Sequence, residues 1–220
     1  MTLGVLSTKK TTGKGMAMDQ GTRQGTSQEA GQGTPQEAGQ RKEALRKRLL
    51  AARESLPQAD HARLSYAIVE KLKDDPIFLQ ATCILSYQPF HSEVDISAFN
   101  EWALDKGIKL AYPICLDNQK MIAAVPHATT ALLPGRFGIK APDPKKSQLI
   151  EPQNIECVLV PCLGFCDEGY RLGRGGGYYD RYLPTCRKAT KVGVAFSLQR
   201  IDEPFHDPWD IVLDRFITDR

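Results

Sequence analysis

The chain has 220 residues, 41% of them hydrophobic and 25% charged, enough apolar material for one or two globular domains with a buried core. Its 29 Lys and Arg against 26 Asp and Glu leave a net charge of +3, too mild for a dedicated nucleic-acid binder and suited to a small anionic ligand. No run of about eighteen apolar residues occurs and no apolar leader core opens the chain, so the composition predicts neither a membrane span nor a secretory signal, and a cytoplasmic protein is expected.

Residues 1–40 stand apart. GTSQEAGQ at 25–32 is followed at once by GTPQEAGQ at 33–40, and the segment is rich in Gly, Gln and Thr. It cannot bury enough surface to offset its ordering entropy, so a disordered tail is expected, with a single domain over 41–220. The first eighteen residues hold three lysines and no acid, as transit peptides do, but no arginine precedes Arg23 and no amphipathic pattern is present.

Order is expected from Arg41. RKEALRKRLLAARESL lacks Gly and Pro and is built of strong helix formers. At about 100° per residue, Leu45, Leu49 and Ala52 share one side. Lys42, Arg46 and Arg53 form a narrow stripe beside them. Periodicity alone favours a solvated basic face over a set of cations aimed at a phosphate. ARLSYAIVEKLKDD predicts a second helix, stopped before Pro76. Strands are then expected at 82–90, 108–115, 121–127, 155–165, 191–201 and 215–218, with a helix over 95–107 closing on Gly107. The alternation predicts an α/β fold with a largely parallel sheet, whose ligands sit beyond the carboxyl ends of the strands. The six cysteines (Cys83, Cys115, Cys157, Cys162, Cys166 and Cys186) include no CxxC pair and read as thiols of a reducing compartment. Cys162 and Cys166 are poorly spaced for zinc.

Just past the strongest strand stands RLGRGGGYYDRYL (171–183). It is neither a P-loop nor a dinucleotide fingerprint, since Tyr178 occupies the position where GxGxxG needs glycine. The glycines Gly173, Gly175, Gly176 and Gly177 allow φ > 0, so their N–H groups can form an anion-binding nest, and a helix start at Tyr178 adds a positive dipole end. Arg171 and Arg174 supply forked donors for phosphate. Tyr178 and Tyr179 offer flat faces for a ring. Asp180 either caps the helix or holds a magnesium ion bridging phosphates. A glycine-rich surface turn explains the glycines but not the paired arginines and tyrosines.

PCLGFCDEGYRLGRGGGYYDRYLP (161–184) resembles the signature of the 5-formyltetrahydrofolate cyclo-ligase family. The likeness extends to KEALR at 42–46, SEVDI at 92–96 and WDIVLDRFIT at 209–218. The resemblance implies a three-layer α/β sandwich related to sugar-phosphate isomerases and CoA transferases, acting as a monomer without nucleic acid or membrane. It also implies a ligase that uses ATP and Mg2+ to convert 5-formyltetrahydrofolate into 5,10-methenyltetrahydrofolate. On matching positions, Lys42 and Arg46 are the basic pair for nucleotide, which reverses the periodicity reading. Arg171, Leu172, Gly173, Arg174, Gly175, Gly176, Gly177, Tyr178 and Tyr179 form the ATP loop, and Arg174 to Tyr178 also approach the folate. Lys42 and Arg174 are the catalytic cations. Glu93 touches the pterin, with a helix cap as its other reading. Asp180 and, by spacing from Asp214, Asp210 are the metal carboxylates. His206 and Asp207 are displaced from the closing motif and read as a decoy, while His61 and His127 read as incidental. Ala141 stands where the family expects glutamate, and Trp209 where it expects histidine.

Two other classes remain open. One is a related α/β enzyme acting on a sugar phosphate or CoA ester, in which the KEALR stripe has no role. The other is a family member that has lost catalysis and acts as a binding module, against which the retained basic pair, Glu93 and Asp180 argue.

Overall fold

Seven strands form a mixed sheet in the order β11-β10-β7-β1-β2-β3-β6 in a computed structural model that describes residues 35–127, 132–207 and 209–220. The tail expected over 1–40 lies outside the described residues up to position 34. The first helix, α1, spans Pro35–Glu54, so helix begins at Pro35 rather than at Arg41. Then come α2 (Gln58–Asp74), α3 (Pro76–Gln80), β1 (Cys83–Leu85), α4 (Ser97–Asp105), β2 (Lys109–Cys115) and β3 (Met121–Pro126). A small hairpin of β4 (Leu132–Pro134) and β5 (Lys140–Pro142) precedes β6 (Ser147–Ile150) and β7 (Cys157–Pro161). A second hairpin, β8 (Gly164–Phe165) with β9 (Arg171–Leu172), leads into α5 (Tyr178–Tyr182), and β10 (Thr190–Val194) and β11 (Arg215–Ile217) complete the chain.

The five strands from β11 to β2 are parallel neighbours. β3 runs antiparallel to β2, and β6 to β3. The reason is connection length: β2 and β3 are joined by a tight turn in which Leu116 N–H donates to Lys120 O at 2.8 Å, and a link that short permits only a hairpin. The parallel part carries the alternation a two-sided core needs. Ile84, Leu110, Leu159 and Val192 point to the face covered by α2, α3 and α4, through Ile68, Leu72, Phe78 and Phe99. Leu85, Ala111, Val158 and Val160 point to the other face, against Tyr182 and Leu183 at the end of α5.

Pro76 stops α2 as the sequence implies, and also begins α3 as its first residue, with Asp75 accepting from Ile77 N–H at 3.0 Å. The helix α1 crosses the carboxyl end of the sheet. Leu45 and Leu49 are buried there with Leu172, Ile201 and Phe205, about 1.5–3 kcal/mol for each leucine. Ala52, predicted on the same side, is only partly covered. Among the described residues no helix is long and apolar enough to cross a membrane.

Candidate active site

A cleft of about 540 Å³ opens beyond the carboxyl ends of β1, β2 and β7, where a parallel sheet presents its loops, and its size is that of a small-molecule site. Every residue assigned to a ligand in the sequence lines it: Lys42, Arg46, Glu93, the run from Arg171 to Tyr179, Asp180 and Asp210. They come from four distant stretches of chain.

The orientation of α1 puts Lys42 and Arg46 on this cleft while Leu45 and Leu49 fill the core beneath. Lys42 Nζ donates to Asp210 Oδ2 at 2.5 Å and to Asp207 Oδ2 at 2.6 Å, with only 13% of its side chain exposed. Asp207 N–H donates in turn to Asp210 Oδ2 at 2.9 Å. Of the pair His206 and Asp207, read as a decoy, Asp207 shares the lysine with Asp210 while only Asp210 lines the cleft, and His206 stacks on Tyr170 at 3.7 Å. The tight turn joining Asp210 N–H to Asp207 O brings both carboxylates together, and the DxxD spacing was the available signal. Arg46 Nε donates to Gly173 O at 3.0 Å, tying α1 to the glycine loop.

Within that loop only Gly175 (φ 91) and Gly177 (φ 65) adopt the left-handed backbone. Gly173 and Gly176 do not, so the expected nest is confined to two positions. A Cβ at Gly175 would lie 3.3 Å from the Arg46 guanidinium carbon, so this glycine is also bare because Arg46 packs on it. Gly177 precedes a helix of only five residues, too short to sum a large dipole. The dipole contribution expected at Tyr178 is correspondingly small, and the positive charge of the loop comes from its arginines.

Asp180 does not cap α5. Its Oδ1 accepts from Arg171 Nη2 at 2.8 Å, and Arg171, 4% exposed at the side chain, keeps a buried Nε without a partner. Arg174, on the rim, donates from Nε and Nη2 to Glu93 Oε1 at 3.2 and 3.1 Å. The other oxygen of Glu93 accepts from Phe90 N–H at 3.1 Å, so Glu93 is held facing the cleft and does not cap α4, whose first turn is met instead by Asp95. His61, read as incidental, lies beneath this segment with Nε2 2.9 Å from Glu93 O.

Tyr178 and Tyr179 diverge. Tyr178 donates to Leu116 O at 3.3 Å and meets the Phe137 ring edge-on at 6.0 Å. Tyr179 lies under the Arg171 guanidinium, 5.5 Å from its ring centre, and its hydroxyl is buried without a partner. Burial pushes that phenol well above its ordinary range. Burial likewise pushes the Cys162 thiol up to about 12 and raises Cys115, so the cleft offers no thiolate nucleophile at neutral pH.

The wall opposite the glycine loop is the β4–β5 hairpin, with Arg136, Phe137, Lys140 and Ala141 on the cleft. Sequence reading missed it except for Ala141, which leaves this wall without a carboxylate. Trp209, the other departure, is 71% exposed. Among the described residues no three His, Cys, Asp or Glu gather to hold a metal alone. The carboxylates at hand, Asp180 and Asp210, are hard oxygen donors lining a cleft sized for phosphates, which fits Mg2+, an ion usually held by one or two carboxylates with phosphate and water.

Residues 38–219 match the model of the 5-formyltetrahydrofolate cyclo-ligase family. A 5-formyltetrahydrofolate cyclo-ligase of Mycoplasma pneumoniae is 33% identical over 183 residues, covering 81% of this chain and 98% of its own. The solved 5,10-methenyltetrahydrofolate synthetase of Aquifex aeolicus superposes with a TM-score of 0.72 at 34% identity, over 81% of this chain and 90% of that one. The synthetase structure from M. pneumoniae gives 0.67 at 32% identity, over 81% and 99%.

Proposed function

The chain belongs to the 5-formyltetrahydrofolate cyclo-ligase family, and we propose that its cleft holds ATP and 5-formyltetrahydrofolate together and closes the folate to 5,10-methenyltetrahydrofolate. It is a ligase of folate interconversion. The observation that carries the assignment to this cleft is convergence: Lys42, Arg46, Glu93, Arg171–Asp180 and Asp210 line one cavity, although Lys42 and Asp210 are 168 positions apart.

A formamide oxygen is a poor leaving group. In the proposed reaction that oxygen takes the γ-phosphoryl group of ATP, and ADP departs. Nitrogen 10 of the same folate then attacks the activated carbon, the C–O bond breaks, and phosphate leaves as the ring closes. The protein positions the two molecules and stabilises the charge that moves between them. Lys42 and Arg46 meet the γ-phosphate from α1. Backbone N–H groups at Gly175–Gly177 hold the phosphate chain. Arg174, within reach of both Glu93 and the loop, bridges nucleotide and folate. Glu93 accepts from the pterin N–H groups, with Tyr178 beside it. The orphaned Arg171 Nε and Tyr179 hydroxyl are the natural partners for a ligand oxygen, since buried polar groups are rarely left unpaired. Mg2+, held by Asp180 and Asp210, would neutralise phosphate charge. No covalent enzyme intermediate is needed.

Because one chain supplies every group named, a monomer suffices. A cytoplasmic location suits the six free cysteines. Helices on one sheet face and α5 on the other support a three-layer sandwich akin to sugar-phosphate isomerases and CoA transferases. The deciding experiment is ATP-dependent appearance of the methenyl chromophore from 5-formyltetrahydrofolate. Its absence in a folded preparation would favour a sugar-phosphate or CoA-ester enzyme, or a binding module.

A further inference from the structure

Arg53 is the third member of the α1 stripe, and it behaves unlike the other two. Its side chain is not in the cleft but beneath it, 1% exposed. Nε donates to Ser92 Oγ at 3.1 Å and Nη1 to Cys162 O at 3.2 Å. Nη2 is buried with no partner among the described residues. Both acceptors are neutral, and a buried cation with only neutral partners is costly unless a counter-charge lies close. The two acceptors flank the cleft: Ser92 precedes Glu93, and Cys162 follows the end of β7 on the cleft lining. Burial pulls the Arg53 guanidinium below its ordinary range, and the Glu93 carboxylate is the first charge opposing that pull.

Glu93 thus has one cation in direct contact and a second within electrostatic reach. Arg174 approaches from the glycine loop with 40% of its side chain exposed, while the Glu93 side chain is 10% exposed. Arg53 approaches from below and is fixed by two hydrogen bonds. When Arg174 turns to a ligand, Glu93 loses its direct ion pair while still largely out of water. A buried carboxylate in that position is costly without a second positive charge nearby to hold it aimed at the cleft. We infer that Arg53 is a positioning residue for the folate: it tethers the 92–93 segment and supplies the charge that keeps Glu93 presented once Arg174 is engaged elsewhere. The inference rests on the reading of Glu93 as the group that meets the pterin.

The test separates folate from nucleotide. Dissociation constants for 5-formyltetrahydrofolate and for ADP with magnesium would be measured by calorimetry on the full chain, alongside melting temperature. Arg53→Met, which keeps the bulk and removes the charge, should weaken folate binding about 10- to 100-fold and leave ADP within about 3-fold. In a Glu93→Gln background the same change should add less than about 3-fold, because the charge it serves is gone. Ser92→Ala, a half-buried trimming that folds even if Arg53→Met does not, should weaken folate about 3- to 10-fold by cutting the tether. Equal losses for both ligands, an additive double variant, or unchanged folate affinity in Ser92→Ala would overturn the proposal while leaving Glu93 in place. Unchanged folate affinity in Glu93→Gln would remove the reading of Glu93 itself, and this inference with it.

Discussion

Lys42 joins two acids that the chain otherwise separates from it by more than 160 residues. Replacing it with Met keeps most of the apolar stem and deletes, in a partly desolvated place, the charge proposed to meet the γ-phosphate. Loss of about 2–4 kcal/mol of transition-state stabilisation is expected, or about 30- to 1,000-fold in rate. Methenyl formation at saturating ATP measures it, with circular dichroism to confirm folding, and a folded, fully active Lys42→Met protein would return the stripe to a solvated face. At this scale the sequence was informative about residue type and poor about partners. Lys42, Arg46 and Arg53 share a helix with the exposed Arg41, Lys47 and Arg48, and a helical wheel gathers the first three into one stripe without saying what lies against it. What lies against it is residues 92, 162, 173, 207 and 210, which periodicity does not contain. The ion pair of Asp207 with Lys42 was invisible for the same reason: it depends on a turn that brings Asp207 and Asp210 together.

Among the elements, the glycine loop is where local backbone and the proposed ligand chemistry meet. Gly177→Ala forces a side chain into the left-handed region and puts a Cβ 2.6 Å from Arg181 Nη1. A stability loss of about 1–2 kcal/mol is expected, with ADP affinity falling in the folded protein because the N–H groups of 175–177 shift. Calorimetry beside thermal melting tests this, and undiminished ADP binding would mean that the loop does not cradle phosphate. A second element-level prediction concerns the start of β1. Glu156 accepts from Thr82 N–H and Oγ–H and from Cys83 N–H, and these bonds hold its carboxyl below the usual value of 4.5. A carboxyl depressed in the folded state stabilises the fold above its unfolded pKa, and that contribution is lost as pH falls through the folded value. Glu156→Gln should therefore lower the melting temperature at pH 7 and narrow the gap to the parent below about pH 4; a gap that is constant with pH would exclude the linkage. Buried strands were legible because apolar runs mark them, as in β7. The strands β4, β5 and β6 were not, since Leu133, Pro134, Gln148 and Leu149 are exposed and carry no inward-outward alternation. The hairpin wall of the cleft was lost with them.

For the whole molecule, the predicted boundary and the proposed catalytic role of the α1 stripe can be tested together. Residues 36–40 of α1 are almost wholly on the surface, so a chain beginning at 41 should keep its turnover and melt within a few degrees of the parent. A chain beginning at 47 loses Lys42, Leu45 and Arg46 and should lose turnover while the sheet stays folded; an inactive 41–220 protein would show that the preceding segment matters. The fold class was readable from alternation alone, whereas the antiparallel turn-back at β3 depended on one short connection. The charge arrangement of the cleft has a further consequence, for how fast ligands arrive. Lys42 is matched by Asp207 and Asp210, Arg171 by Asp180, Arg174 by Glu93, Arg46 by Glu43 and Arg136 by Asp117, so that of the cations lining the cleft Lys140 alone has no ion pair among the described residues. Beyond a screening length of about 8 Å at physiological salt, such matched pairs cancel. The cleft therefore exerts little long-range pull on a polyanion, and its cations become available only at contact, as each carboxylate finds another partner. Capture of ATP with magnesium, followed by stopped flow, should slow less than about 3-fold between low and high salt, where an electrostatically steered encounter falls steeply. On the proposed assignment such a protein would admit its substrates by exchange of partners at close range, with little field for passing anions to follow.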